Sequence, residues 1–371
     1  MKAGKVWKTW IIARCAPDFV SSLFGQGRGH GFADARAGAS KGNLLHNLEI
    51  GFAPRGALRI GLTLIPILTI AAMRECPTRT MSILPPKTIR GLKRVLRIIR
   101  KRRSHDQFIR QTLAKGPVST KRRVIAALTT VPDRIGGLRP TIRSLLKQTR
   151  PPDEIVLAIP TFSIREQRPY VIPPYIAGLP RVRVVRCSKD WGPATKFIAV
   201  IQEELAAGRD NTLIMVVDDD RVYPRDAVET YLYYNEQLPE AALCFRGAAM
   251  PRSLDWRHAQ MRQANEFREP QPVDIITGCG SYFIQPRFFD ESLWDYSDAP
   301  PGAFYMDDIW ISGCLSRRGV KRYIVPASGM MRLVFRQLGT LSLHRVPKGR
   351  QHNNNETIEF FRDTWSIFSL H

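Results

Sequence analysis

The sequence predicts an α/β protein: a single domain with a mostly parallel central sheet, preceded by a basic, partly disordered N-terminal region. Three observations carry this expectation. From Val124 onward, short uncharged runs rich in Val and Ile alternate with amphipathic stretches. Pro and Gly punctuate the boundaries between them. And one apolar run, "TLIMVV", stops abruptly in three consecutive aspartates, Asp218, Asp219 and Asp220.

Taken in order, "VIAALTTVP" reads as a short buried strand ending at a turn, and "LRPTIRSLLKQT" sets Leu138, Ile142, Leu145 and Leu146 at helical spacing. "RPPDE" interrupts, and "EIVLAIP" is a second buried strand. After a Pro-rich loop, "RVRVVRC" is a third, and "DWGPATKFIAVIQEEL" opens a helix with Pro193 near its first turn. "TLIMVV" is the fourth strand and "RYIVPA" a late one. Strands alternating with helices imply right-handed βαβ units. No internal repeat is visible.

The N-terminal third differs in kind. The 371-residue chain has a formal net charge of +23, yet residues 1 to 123 hold 25 Lys and Arg against 5 Asp and Glu, so 20 of those charges lie there. The remainder is close to neutral, which weakens a nucleic-acid reading of the high overall charge. Residues 1 to 57, rich in Gly, Ala and Arg without periodicity, are expected to be disordered. "IGLTLIPILTIAAM", Ile60 to Met73, is 14 residues long with Pro66 in its middle. A bilayer span needs roughly 20 apolar residues, and a signal peptide would sit nearer the start. "MSILPPKTIRGLKRVL" from Met81 resembles a natural beginning, so residues 1–80 are expected to be a low-order region, a leader or an upstream misreading of the start.

"IRGLKRVLRIIRKRR", Ile89 to Arg103, places Ile89, Leu92, Val95, Leu96 and Ile99 on one helical face and basic residues on the rest. Such a helix suits an anionic membrane surface, a face docked on the protein's own core, or an RNA-binding arm. The expected organisation is therefore 1–80 low order, 81–121 basic helix and linker, 122–345 the α/β domain, and 346–371 a C-terminal tail or helix. The six cysteines, at 15, 76, 187, 244, 279 and 314, show no CxxC or Cys/His spacing and are expected to be reduced thiols of a cytosolic protein.

In open α/β sheets ligands bind beyond the carboxyl ends of the strands, which is where Asp218–Asp220 are expected. Three adjacent carboxylates repel one another, and a divalent cation would relieve that conflict by accepting their oxygens. The alternative is a polar loop or a cap on the helix after Pro224.

"ALTTVPDRIGGLRPTIRSLLKQTRPPDEIVLAIP", "WGPATKF", "VVDDDRVYP", "TGCGSYFI" and "MDDIWISG" occur in this order. Together they resemble the GT-A fold nucleotide-sugar glycosyltransferases around glycosyltransferase family 2, over about residues 122 to 330, with a fainter similarity to exostosin-like catalytic domains. The resemblance implies Mn²⁺ or Mg²⁺ held by Asp220 and Asp218 against the donor diphosphate, with Asp219 acting through hydrogen bonds. It implies donor binding at Thr130 and Arg134, after the first strand, and at Lys196 as a phosphate-side or Asp-pairing lysine. Gly278 and Gly280 would let backbone approach the donor sugar and acceptor closely. Asp308, then Asp307, would be the general base, one of the two otherwise capping its helix. His344 could complete the metal shell, ahead of His352. Trp191, Trp256 and Trp310 are either sugar platforms or core aromatics. No QxxRW-like motif follows the Asp pair, against a processive synthase.

The expectation is thus a metal-dependent enzyme moving one sugar to a hydroxyl on a glycan or lipid-linked acceptor, in the cytoplasm or on the cytoplasmic membrane face. Inverting chemistry is favoured, with retention left open. The alternatives are a sugar nucleotidyltransferase, which would want a Gly-rich basic phosphate loop where "TTVPDRIGG" stands, and a basic membrane or nucleic-acid adaptor.

Overall fold

A computed structural model describes residues 97, 100, 103–115, 122–328, 332–333 and 348–365. The expected disorder of 1–57, the apolar segment 60–73, the start at Met81 and His344 lie outside the described residues. So does most of the basic helix, of which Arg97, Arg100 and Arg103 are helical and exposed. The chain divides into two units, Met1–Arg100 and Lys101–His371. Among the described residues no helix is long and apolar enough to cross a membrane.

The second unit is a mixed α/β fold around an eight-stranded sheet. Its first strand, β1 (Val124–Leu128), is buried at all five positions, as a central strand covered on both faces must be. β2 (Glu154–Pro160) and β3 (Val182–Cys187) extend the sheet on one side, and β4 (Leu213–Val216) on the other, all parallel. Pairing Ile125 with Ile214 and with Glu154 fixes the register that brings Asp218 just past the strand ends. The connecting helices are α1 (Arg139–Leu146), which turns Thr141, Ile142 and Leu145 inward, and α2 (Thr195–Ala206), nearly buried along its length.

Beyond β4 the topology departs from simple alternation. α3 (Ala227–Gln237) leads to β5 (Ala241–Cys244), whose neighbour is β6 (Tyr282–Ile284). β6 inserts antiparallel between β4 and β5. It arrives through the "TGCGS" turn, so that turn lies beside the carboxyl end of β4. α4 (Asp307–Arg317) and β7 (Lys321–Ile324) close this side, β7 parallel to β5 and bordered by the short edge strand Gln271–Pro272. A separate three-stranded antiparallel sheet pairs Arg246–Ala249 with Gln260–Gln263 and Ile275–Ile276.

Two aromatic groups lock the halves together. Tyr231 on α3 stacks between Phe245 and Phe283, with centroids 3.9 and 4.9 Å away. Trp310 on α4 stacks on Tyr296 at 4.1 Å and meets Phe361 edge-on at 5.2 Å. Phe361 directly follows α5 (Arg350–Phe360), and a Cβ at Gly313 would stand 2.3 Å from its ring, so glycine lets the C-terminal helix seat on α4. At the other end of the unit, residues 103–113 are helical, with His105 and Ile109 buried and His105 Nε2 3.0 Å from the Ala327 carbonyl oxygen.

Candidate active site

The three aspartates leave the end of β4 with different fates. Asp219 turns inward: Thr130 donates to its Oδ2 at 2.6 Å, and Arg134 Nε lies 3.1 Å from the same oxygen. Burial pushes its carboxyl up to about 6, with Arg134 and Thr130 opposing that rise. Asp218 and Asp220 keep about a quarter of their side chains exposed. The segment between them is fixed by partners outside it. The Asp218 N–H donates to Tyr223 Oη at 2.8 Å, and Thr141 Oγ1 donates to the Asp219 carbonyl at 2.8 Å.

Lys196, on the first turn of α2, is almost wholly buried, and its ammonium lies 2.9 Å from both Asp218 Oδ1 and Asp307 Oδ2. Burial alone would depress its proton affinity; Asp218 and Asp307 outweigh burial and raise it well above the ordinary lysine range. Reciprocally, burial would raise Asp218, and the Lys196 charge holds it below its ordinary range. One lysine therefore ties the strand carboxylates to the first turn of α4.

The expectation that an Asp caps α4 is not met by the side chains. Met306 holds the N-cap position without a capping bond, Asp307 faces Lys196, and Asp308 Oδ1 accepts the Gly278 N–H at 2.8 Å. Ser312 secures that turn, donating to the Asp308 carbonyl at 2.6 Å while accepting the Ile276 N–H at 3.1 Å. Burial first, then the Asp307 charge, raises Asp308 to about 8, with Lys196 pulling the other way.

Gly278 is where these groups meet. A Cβ there would stand 3.0 Å from Asp218 Oδ1, 3.0 Å from Lys196 Nζ and 3.3 Å from Asp308 Oδ1. Gly280 is needed for backbone reasons, since a Cβ would lie 2.4 Å from Arg246 Cβ and 2.8 Å from its nitrogen. Of the three tryptophans, Trp310 is fully buried in the core, Trp191 is buried and donates to the Trp294 carbonyl, and Trp256 is half-buried against a small apolar cluster. His352 is exposed on α5. Cys187, Cys244, Cys279 and Cys314 are free thiols.

A divalent cation fits the donor set in part. Lys196 lies 2.9 Å from Oδ1 of Asp218 and Arg221 Nε 3.2 Å from Oδ1 of Asp220, and both side chains remain about a quarter exposed, so each can offer an oxygen to a cation. Burial and the adjacent Asp218 charge raise Asp220, a repulsion that a hard cation relieves. Among the described residues no cluster of three or more His, Cys, Asp or Glu side chains forms a closed metal cage. The remaining ligands of a cation at Asp218 and Asp220 would come from solvent and substrate oxygens.

Several contributors were not marked by residue type, although three of them lie within the family-like segments. Tyr223, Thr141 and Ser312 act through single hydroxyl bonds. Arg165, on the loop after β2, is lowered by burial and by the nearby Arg134 charge, and feels Asp219 as well. Only the loop's position beside β1 could have pointed to it.

The family model described as Glycosyl transferase family 2 matches residues 132–294. That span includes Arg134, Lys196, Asp218–Asp220, Gly278 and Gly280 and stops short of Asp307 and Asp308. The search of curated proteins finds no match. Among solved structures, the chain is similar to a 4-diphosphocytidyl-2C-methyl-D-erythritol synthase at 14% identity and a TM-score of 0.34, covering 56% of this chain and 90% of that one. It is similar to GalNAc-T7, solved with UDP, GalNAc and Mn²⁺, at 14% identity and a TM-score of 0.36, covering 66% of this chain. The match covers 52% of that chain, about half its length.

Proposed function

We propose, from the match of residues 132–294 to the glycosyl transferase family 2 model, that this chain is a glycosyltransferase that moves one sugar from a nucleoside-diphosphate donor to an acceptor hydroxyl with the help of a divalent cation. The observation that supports this best is Lys196, within 2.9 Å of Asp218 on the donor side and of Asp307 beside Asp308. Asp218 and Asp220 would hold Mn²⁺ or Mg²⁺, which would supply positive charge to neutralise a leaving diphosphate. Arg134 and Thr130 hold Asp219 turned inward, so that its neighbours face outward.

Asp308 is the base. Its Oδ1 is fixed by the Gly278 N–H, leaving Oδ2 to accept the proton of the attacking hydroxyl. Burial raises its proton affinity toward neutrality, where a base and its conjugate acid exchange protons most effectively. The acceptor oxygen bonds to the anomeric carbon as the bond to diphosphate breaks, and one proton passes to Asp308. Attack from the side opposite the leaving group inverts the anomeric centre.

The acceptor is a cell-surface glycan or a lipid-linked oligosaccharide, and the enzyme works at the cytoplasmic membrane face. The basic amphipathic sequence from Ile89 to Arg103 supports that location. A panel of nucleotide sugars, screened by thermal shift and by turnover with and without Mn²⁺, tests the proposal. One donor should stabilise the protein and turn over only with metal, and Asp308→Asn should bind that donor without turnover. Metal-independent turnover, or an active Asp308→Asn variant, would overturn the scheme.

A further inference from the structure

We propose that Arg246 reads an oxyanion on the acceptor, a carboxylate or phosphate close to the attacking hydroxyl, so that the enzyme prefers acidic over neutral acceptors. This inference rests on the transfer reaction proposed above.

Arg246 opens the strand Arg246–Ala249, and its backbone is clamped against the "TGCGS" turn. Its carbonyl accepts from the Thr277 N–H at 3.0 Å, and Gly280 packs on its nitrogen and Cβ. The side chain thus leaves a rigid base, with Nη1 2.5 Å from Cys279 Sγ. A thiol is a weak acceptor for a guanidinium. The Nε is buried and has no hydrogen-bond partner. Among the described residues no carboxylate lies within ion-pair distance of Arg246, whereas Arg134 and Arg221 in the same site each have one. A half-buried guanidinium supplied only with a thiol is left with donors for an incoming anion.

Its position places that anion on the acceptor rather than the donor. Cys279 directly follows Gly278, whose N–H holds Asp308. Burial, then the Asp308 charge, then that of Asp218, pushes the Cys279 thiol up, while Arg246 pulls it down. The thiol is therefore within electrostatic reach of the base and the arginine together, with Asp308 outweighing Asp218. Arg134 and Arg221 pair with Asp219 and Asp220, whereas Arg246 borders the Gly278–Cys279 turn that holds Asp308, the side assigned here to the acceptor. Lys196 is already paired with Asp218 and Asp307, which leaves Arg246 as the cation at this turn with no carboxylate partner among the described residues.

The test uses the full chain, Mn²⁺ and the donor found in the panel, with acceptors offered as matched pairs: p-nitrophenyl β-glucoside with p-nitrophenyl β-glucuronide, and glucose with glucose 6-phosphate. The readout is the ratio of kcat/KM for the acidic member to that for the neutral one. The wild type should favour the acidic member of one pair, and which pair distinguishes a carboxylate from a phosphate. Arg246→Gln should cut that preference about 10- to 100-fold, the value of a hydrogen bond to a charged group. Arg246→Lys should keep part of it, holding the charge without the planar fork. An equal ratio in the wild type, or a preference unchanged in Arg246→Gln, overturns the inference and leaves the transfer reaction standing. Absence of transfer to every acceptor overturns both. Should Arg246→Gln fail to fold, competition in the wild type decides: glucuronate or glucose 6-phosphate must compete with the acceptor at least tenfold better than glucose, and equal competition sinks the idea.

Discussion

Lys196 Nζ lies midway between Asp218 and Asp307, 2.9 Å from an oxygen of each. These residues belong to a helix start, a strand end and a second helix start, separated by 22 and 89 positions in the chain. The lysine serves as a strut between the end of β4 and the first turn of α4. Its removal is the first prediction. Lys196→Met should lower unfolding free energy by about 3 kcal/mol, because buried Asp307 and partly exposed Asp218 lose their cation. Denaturant unfolding measures it; a change below about 1 kcal/mol would mean water replaces the lysine.

Asp219 and Asp220 should separate in their effects. Asp219 is buried on Arg134 and Thr130, so Asp219→Ala should lower the Tm, leaving a guanidinium unpaired. Asp220 is partly exposed, so Asp220→Ala should melt near the wild type and lose the metal-dependent stabilisation by donor. Calorimetry with and without Mn²⁺ and the donor found in the panel reads both. Equal loss of Tm in the two variants would contradict the division of labour.

The pH dependence of kcat/KM should carry the mark of Asp308. Its carboxyl is raised to about 8, so the reactive, deprotonated form is lost as pH falls through that value. Activity should decline on the acid side well above the roughly pH 4 of an exposed aspartate. The sign for stability is opposite to that of a salt-bridged acid. A raised carboxyl binds its proton more tightly when folded, so its contribution is fully present below the unfolded value and lost as pH rises through the folded one. An acid limb near pH 4 would remove Asp308 from the role of base.

The two glycines of the "TGCGS" turn should fail differently on substitution by alanine. At Gly278 the added carbon crowds charged side-chain ends at 3.0 Å, which can shift by a few tenths of an ångström. Folding should survive, and kcat should fall about tenfold or more through displaced Asp218, Lys196 and Asp308. At Gly280 it meets Arg246 backbone, so the cost should appear in stability, about 1–3 kcal/mol. Paired measurements of kcat and Tm distinguish them; a reversed pattern would mean the turn repacks.

The sequence by itself determined the strand–helix alternation, the place where the aspartates emerge, and the existence of two acidic groups separated by a glycine-rich turn. These are local properties: an uncharged run of Val and Ile is a buried strand wherever it lies, and abrupt polarity at its end marks the sheet's ligand-bearing edge. Tertiary structure alone decided what the groups do to one another. The antiparallel insertion of β6 between β4 and β5 brings Gly278 against Asp218. The packing of α4 decides that Asp307 meets Lys196 while Asp308 meets the Gly278 N–H, two neighbours sent to different partners. Arg246 lies outside the family-like segments, and Tyr223, Thr141 and Ser312 lie within them as hydroxyls that nothing local marks for a role. Their roles arise from single contacts across long stretches of chain, which burial and sheet order create and local sequence does not encode.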